Sequence, residues 1–130
     1  MPGECHVIQT TAFPIEPGED ASTNPGRFGR SLANYVADQF RARGEPVEGV
    51  IPEDFGWCVL LGQKPAKKFI CCGNRDDRTD EWMAFAVVEA GLVGRFFGGV
   101  NVGAETERLS RLLGEVVQSA PGVTAYSTEQ

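Results

Sequence analysis

The stretch that decides the fold is residues 53–90, EDFGWCVLLGQKPAKKFICCGNRDDRTDEWMAFAVVEA. Three runs rich in aromatic and β-branched residues predict strands over Phe55–Leu61, Lys68–Gly73 and Glu81–Val88. The separators, 62–67 and 74–80, carry Gly, Pro, Asn and Asp and are too short for a crossover connection. We therefore predict a three-stranded antiparallel meander at the centre of the chain.

A helix is predicted on either side of this meander. For the first, Asn24 is the predicted cap, Pro25 suits the first helical position, and Gly44 suits the exit. Its apolar residues recur at helical spacing: Phe28, Leu32, Tyr35, Val36 and Phe40. The second helix has Glu105 and Glu107 in its first turn and the stripe Leu109, Leu112, Leu113, Val116 and Val117.

Three weaker strands complete the expected sheet, over residues 6–13, 47–51 and 123–127. Residues 91–103 hold five glycines and fit either a packed loop or a short bulged strand. The predicted fold class is α+β, an antiparallel sheet of five or six strands with two helices on one face, in the order β-α-β-β-β-β-α-β. Residues 1–130 form one domain, with 1–4 and 128–130 expected to be mobile.

Both faces of the predicted sheet are apolar. In the first strand of the meander, Phe55, Trp57, Val59 and Leu61 are expected on one face, and Gly56, Cys58 and Leu60 on the other. This pattern predicts a sheet that is covered on both sides, or one whose second face meets another chain.

Composition excludes several classes of protein. The hydrophobic fraction of 42% is typical of a globular chain, and the net charge of −6 argues against nucleic acid or an anionic membrane as partner. No apolar run approaches the roughly 20 residues of a membrane helix. The first residues lack the pattern of a signal peptide, so a cytoplasmic location is expected.

The four cysteines show no CxxC spacing. Three of them, Cys58, Cys71 and Cys72, lie in predicted strands, where cysteine usually serves as a small buried apolar residue. Cys71 and Cys72 should point to opposite faces and not bond each other. Reduced thiols are therefore predicted.

No sequence pattern for catalysis or metal binding was found. His6 is the only histidine and lies near a terminus, which argues against Ser-His or Cys-His chemistry. A zinc site would need His6 and three scattered cysteines to converge, and the acidic residues around Asp76 lack EF-hand spacing. The glycine-rich segment is not a P-loop. We predict no catalytic residue, no metal and no cofactor.

Aromatic and charged residues supply the candidate binding site, because Trp and Arg most often anchor protein interfaces. The alternatives are that both tryptophans belong to the core, and that the arginines form structural ion pairs with Asp54 or Asp76. The six candidate binding residues are Arg27, Arg30, Asp54, Trp57, Asn74 and Trp82.

The segments Asn24-Pro25-Gly26-Arg27-Phe28-Gly29 and Glu53-Asp54-Phe55-Gly56-Trp57, followed by Cys72-Gly73-Asn74 and Glu81-Trp82, carry a resemblance. The chain resembles a group of small uncharacterised bacterial proteins with NPGR-aromatic-G and ED-aromatic-GW motifs, over roughly residues 23–90. This group implies no activity and no catalytic residue. Its compact, acidic character is similar to that of immunity proteins that neutralise bacterial toxins, by analogy only.

The function expected from the sequence is a non-enzymatic, cytoplasmic protein-binding module, immunity-like or regulatory, whose partner is a toxin or an enzyme. The alternative is a small-ligand-binding domain or enzyme with a pocket between sheet and helices, lined by Trp57, Trp82 and Arg27. A third reading is a homo-oligomer that pairs through a sheet face or the last strand.

Overall fold

The computed structural model describes residues 3–90 and 101–130. Within them, a six-stranded antiparallel sheet carries two helices, which confirms the predicted fold class and element order. A short 3-10 turn, Glu19–Ala21, lies between the first strand and the first helix. The elements are β1 Cys5–Gln9, α1 Arg30–Ala42, β2 Gly49–Glu53, β3 Gly56–Gly62, β4 Ala66–Asn74, β5 Glu81–Ala90, α2 Val102–Gln118 and β6 Ala125–Glu129.

The spatial order of the strands is β2-β3-β4-β5-β1-β6. The meander prediction is confirmed, since β3 pairs with β4 and β4 with β5, both antiparallel. Strand β1 lies between β5 and β6, so His6 pairs with Ala84 on one side and with Thr128 on the other. This arrangement brings the first and last strands together at one edge of the sheet.

One face of the sheet, which we call the helix face, packs against both helices. Side chains that alternate along the strands, such as Val59, Ile70 and Trp82, are buried there. They form a single cluster with Phe40 of α1 and Leu113 of α2. Burying apolar surface of this kind is the main favourable term in folding.

The opposite face, which we call the open face, is also apolar at its centre. Cys58, Cys71 and Val87 form a small cluster of buried residues there, and Phe69 and Phe85 pack against it half-buried. In the described part of the chain, both helices pack on the helix face and neither covers this one. The prediction that both faces of the sheet carry apolar residues is therefore confirmed.

Phe55 does not share a face with Trp57, contrary to the expected alternation. It precedes β3 and stacks on the Phe85 ring of the open face, at a centroid distance of 6.5 Å. Gly56 has φ of 158°, a conformation that side chains rarely adopt, and it breaks the alternation between the two aromatic residues. Phe55 remains 44% exposed.

Helix α1 begins at Arg30 rather than near Asn24, so the predicted cap is wrong. The buried carboxylate of Glu19 instead accepts the amides of Gly29 and Arg30, each at 3.1 Å. A carboxylate at this position satisfies free amides and suits the helix dipole. Asn24 forms a turn, in which its carbonyl accepts the Arg27 amide at 2.9 Å.

Other boundaries shift by a few residues. The second helix begins at Val102, where the Asn101 side chain caps it by accepting the Ala104 amide at 2.9 Å. The last strand occupies Ala125–Glu129 instead of 123–127. Of the glycine-rich segment, 91–100 lies outside the described residues, and the loop or strand expected there stays a prediction.

Candidate functional site

A cleft of about 680 Å³ lies between one side of α2 and the edge formed by β1 and β6. We call it the His6 cleft, because the His6 side chain forms its floor with Ser110 and Tyr126. Cavities that hold small ligands are of this size. The remaining wall is contributed by Gly3, Glu4, Val102, Gly103, Thr106, Glu107, Arg111, Gly114, Glu115, Gln118 and Gln130.

His6 is held on both ring nitrogens. Its Nδ1 lies 2.8 Å from the Tyr126 hydroxyl oxygen, and its Nε2 lies 3.0 Å from the Ser110 hydroxyl oxygen. A neutral imidazole donates from one nitrogen and accepts at the other, and each hydroxyl can take the complementary role. The ring is 3% exposed and stacks near-parallel to Tyr126, with centroids 6.0 Å apart.

Two glycines, Gly3 and Gly114, make space for the His6 ring and its hydrogen-bond partners. A Cβ atom at Gly114 would lie 3.1 Å from His6 Cε1 and 3.3 Å from the Tyr126 hydroxyl oxygen. A Cβ atom at Gly3 would lie 3.3 Å from the Ser110 hydroxyl oxygen. Glycine at both positions therefore lets α2 and the N-terminal segment approach the ring closely.

Burial controls the ionisation of this site. Desolvation lowers the pKa of His6 below its ordinary value, and the nearby Glu4 carboxylate opposes this only in part. Desolvation likewise raises the pKa of the Tyr126 hydroxyl. Both groups are consequently neutral near pH 7, and they present hydrogen-bonding atoms rather than charge.

Charge is supplied by the rim of the cleft. Three carboxylates line it, from Glu4, Glu107 and Glu115, against the single guanidinium of Arg111. Arg111 is paired with Glu107 at 3.3 Å across one turn of α2. The rim therefore has a net negative charge, which favours a cationic guest.

A serine beside a neutral imidazole is also the pair used in nucleophilic catalysis. Acyl transfer needs, in addition, amide groups aimed at the developing oxyanion. Ser110 lies in the interior of α2, where backbone amides bond to the carbonyls one turn earlier. The geometry therefore supports binding better than acyl transfer.

Sequence analysis considered His6 only for catalysis and metal binding, and it did not predict the contacts of His6 with Ser110 and Tyr126. His6 and Ser110 are 104 positions apart in sequence and meet only because β1 inserts between β5 and β6. A signal for the site was present in α2. Thr106, Ser110 and Gly114 recur every four residues, forming a stripe of small residues inside an otherwise Leu- and Val-rich helix.

The two tryptophans named as binding candidates lie on the helix face. Trp82 is 1% exposed, meets the Phe13 ring edge-on, and donates its indole N–H to the Thr10 carbonyl at 3.3 Å. Trp57 is 7% exposed, with the Arg30 guanidinium 5.3 Å from its ring centroid. The structure therefore places both tryptophans in the core, and neither forms an exposed binding patch.

Asn74 is the centre of a junction between three chain segments. Its buried side chain accepts the Phe28 amide at 3.0 Å and donates to the carbonyl oxygens of Gly26 and Arg78, at 3.1 Å and 3.0 Å. Glycine is required beside it, because a Cβ atom at Gly56 would lie only 2.2 Å from the Cys72 carbonyl oxygen. These are the segments that carry the resemblance, and here they pack together.

The remaining candidates lie around the same junction. Arg27 donates to the Asp76 carbonyl and lies 3.4 Å from the Asp77 carboxylate. Arg30 pairs with Glu16 at 3.2 Å, and the Asp54 carbonyl accepts the Asn24 amide at 3.0 Å. Five of the six candidates thus lie around this junction. The sixth, Trp82, is next to it, because its backbone pairs with that of Asn74 in the sheet. None of the six lines the His6 cleft.

In residues 3–90 and 101–130, no three His, Cys, Asp or Glu side chains are grouped so as to hold a metal ion. No helix in these ranges is both long and apolar enough to span a bilayer. Comparison with known proteins finds no family model, no curated protein and no solved structure that matches this chain. The resemblance noted above therefore stays a prediction.

Proposed function

We propose that this protein binds a small, positively charged polar molecule in the His6 cleft. The observation that carries the proposal is the buried imidazole held between two hydroxyls at the floor of a cavity of ligand size. A cleft with a few converging polar groups, one of them with a shifted pKa, is the usual form of a ligand site.

The charge of the guest follows from the rim. Since Arg111 is already paired with Glu107, the carboxylates of Glu4 and Glu115 are the charges that meet a ligand entering the cleft. An ammonium group would pair with them, while its polar remainder would reach the hydroxyls of Ser110 and Tyr126. Primary amines that also carry hydroxyl or amide groups are the proposed class of ligand.

Isothermal titration calorimetry against small amines and matched carboxylates tests this proposal. Amines should bind, and Glu115→Gln should weaken binding by about five-fold, the effect expected from losing one rim charge. Glu89→Gln is the matched control, because Glu89 is an exposed carboxylate on the open face. Equal binding of carboxylates, or an unchanged affinity in Glu115→Gln, would contradict the proposal.

A protein-binding module is the second candidate function. It is supported by the open face, where Phe55 is 44% and Ile51 36% exposed beside the half-buried rings of Phe69 and Phe85. Exposed apolar groups of this kind often mark docking sites. The immunity-like or regulatory role and the cytoplasmic location belong to this candidate, and the four free cysteines suit a reducing compartment.

Mass measurement in solution tests this second candidate. If the open face docks a second copy, the protein should sediment as a dimer, and Phe55→Ser should shift it to monomer. If it docks a different protein, the purified chain stays a monomer and Phe55→Ser abolishes capture of that partner. If the protein is a monomer and Phe55→Ser does not change its capture of any partner protein, the open face is not the interface.

A further inference from the structure

Cys58 and Cys71 lie directly opposite each other on the neighbouring strands β3 and β4. Their sulfur atoms are 3.7 Å apart and share a hydrogen bond. Both are only 2% exposed, yet they lie on the open face, one layer of side chains below its surface, where Phe69 and Phe85 pack against them. Neither residue belongs to the His6 cleft or to the Asn74 junction.

The backbone geometry permits a bond between the two sulfurs. Facing residues of an antiparallel pair have Cα atoms about 4.5–5.5 Å apart. Disulfides span Cα separations of about 4.4–6.8 Å. The strands therefore need not move far, and the sulfurs can approach by small rotations of their side chains. Cys72 is excluded as a partner by its direction, because it packs into the helix-face cluster.

The hydrogen bond also makes the two thiols unequal. When Cys58 ionises, the Cys71 thiol donates to it, which lowers the pKa of Cys58 and raises that of Cys71. Burial raises the pKa values of Cys5 and Cys72 instead. Cys58 is thus the thiol best able to become a nucleophilic thiolate.

We propose that Cys58 and Cys71 form a reversible dithiol–disulfide couple that is oxidised by hydrogen peroxide, with Cys58 reacting first and Cys71 resolving. The site is a target of oxidative modification on the open face, independent of the ligand proposed for the His6 cleft.

The chemistry is balanced in two steps. The Cys58 thiolate attacks one peroxide oxygen, an S–O bond forms, the O–O bond breaks, and the hydroxide released takes up the Cys58 proton to give water. The Cys71 sulfur then attacks the sulfenic sulfur, the S–S bond forms, and the S–O bond breaks. The hydroxyl leaves as water with the Cys71 proton. A dithiol reductant reverses the couple by thiol–disulfide exchange.

Oxidation should leave the fold intact, because the new bond joins strands that are already paired in register. What changes is the centre of the open face, where a pair of thiols, with Cys58 the one able to ionise, is replaced by a disulfide that a dithiol can reduce. Oxidation is therefore detected by counting reactive thiols and identifying the joined peptides, and not by an unfolding transition.

The test begins with the wild-type chain treated with hydrogen peroxide, alkylated and digested with trypsin. Cys58 and Cys71 fall in separate tryptic peptides, 44–67 and 69–75. The expected result is that these peptides are joined, that two alkylatable thiols are lost, and that dithiothreitol restores both. Stepwise over-oxidation of single cysteines without the joined peptides would overturn the proposal.

Alanine variants assign the bond and the order of reaction, since alanine leaves the buried site apolar. Cys71→Ala should accumulate a sulfenic acid on Cys58 that dimedone traps, whereas Cys58→Ala should show no trapped Cys71. Cys72→Ala is the matched control and should still give the joined peptides. Loss of the cross-link in Cys72→Ala, or trapping on Cys71 in place of Cys58, would overturn the assignment.

Discussion

The two faces of the sheet are made from the same strands and are both apolar, yet they are buried by different means. Val88 and Val87 are neighbours in β5 and point to opposite faces. Val88 is fully buried under the helices, and Val87 is 9% exposed among the half-buried aromatic rings of the open face. Helices complete one face, whereas in the described residues the strands' own large side chains shield the other.

This difference shows that apolar content does not by itself reveal what covers a sheet. Alternation along β3, β4 and β5 gives each face its hydrophobic residues, but only the packing of helices decides how deeply those residues are buried. The helix face holds the larger of the two clusters of buried residues. The open face keeps its aromatic rings and its thiol pair within reach of the surface.

The largest expected effect comes from removing a large side chain on the helix face. Trp82→Ala should lower the free energy of unfolding by about 4 kcal/mol, because it leaves a cavity beside Phe13 and an unpaired Thr10 carbonyl. Phe55→Ala is the matched change at the open face and should cost about 1 kcal/mol or less, since that ring is 44% exposed. Urea unfolding followed by tryptophan fluorescence or circular dichroism measures both. Similar costs for the two variants would mean that the faces are equally covered.

A smaller effect is expected from the two adjacent valines. Val88→Ala should cost about 2 kcal/mol, the price of two methyl groups and a cavity among close-packed neighbours. Val87→Ala should cost about 1 kcal/mol, because its site is less enclosed and can relax. Chemical denaturation of the two variants side by side gives the difference. A larger cost at Val87 would show that the open face is the better packed of the two.

The smallest effect concerns the ion pair that ties α2 to the rim of the helix face. Glu105 lies 2.6 Å from Arg108 and 2.5 Å from Lys68 of β4. Hydrogen bonds from Arg108, and then from Lys68, lower the pKa of Glu105 to about 2. Glu105→Gln should therefore cost about 1 kcal/mol at neutral pH.

The sign of its pH dependence follows from linkage. Because the folded carboxyl has the lower pKa, its stabilisation is complete above the unfolded value of about 4.5 and is lost as the pH falls towards about 2. The difference in stability between wild type and Glu105→Gln should shrink over that range. Glu107→Gln, which removes the carboxylate of an exposed ion pair with Arg111 on the same helix, is the control. A wild-type advantage that persists at pH 2 would contradict the assignment.

Several features were predictable from local sequence because local chemistry decides them. The aromatic and β-branched runs of the meander form strands wherever turn residues separate them, and the stripes of α1 and α2 give two amphipathic helices. The order of these strands and helices along the chain predicted an α+β fold, with the helices on one face of an antiparallel sheet. Short loops then fixed the antiparallel pairing of β3, β4 and β5.

Tertiary structure alone decided where distant segments meet. The start of α1 is set by a carboxylate ten positions before Gly29, and hydrogen bonds join Asn74 to Phe28 and Gly26 across 46 and 48 positions. Sequence patterns report the spacing of residues along the chain, and such long-range contacts leave no local periodicity.

The same reason explains the sites. The sequence by itself determined that His6, Cys58 and Cys71 lie in strands, where alternate side chains point to opposite faces of the sheet. The insertion of β1 beside β6 brought His6 to Ser110 and Tyr126, and the register of β3 with β4 placed Cys58 opposite Cys71. Pairing of strands in space, rather than spacing along the chain, created both chemical groupings.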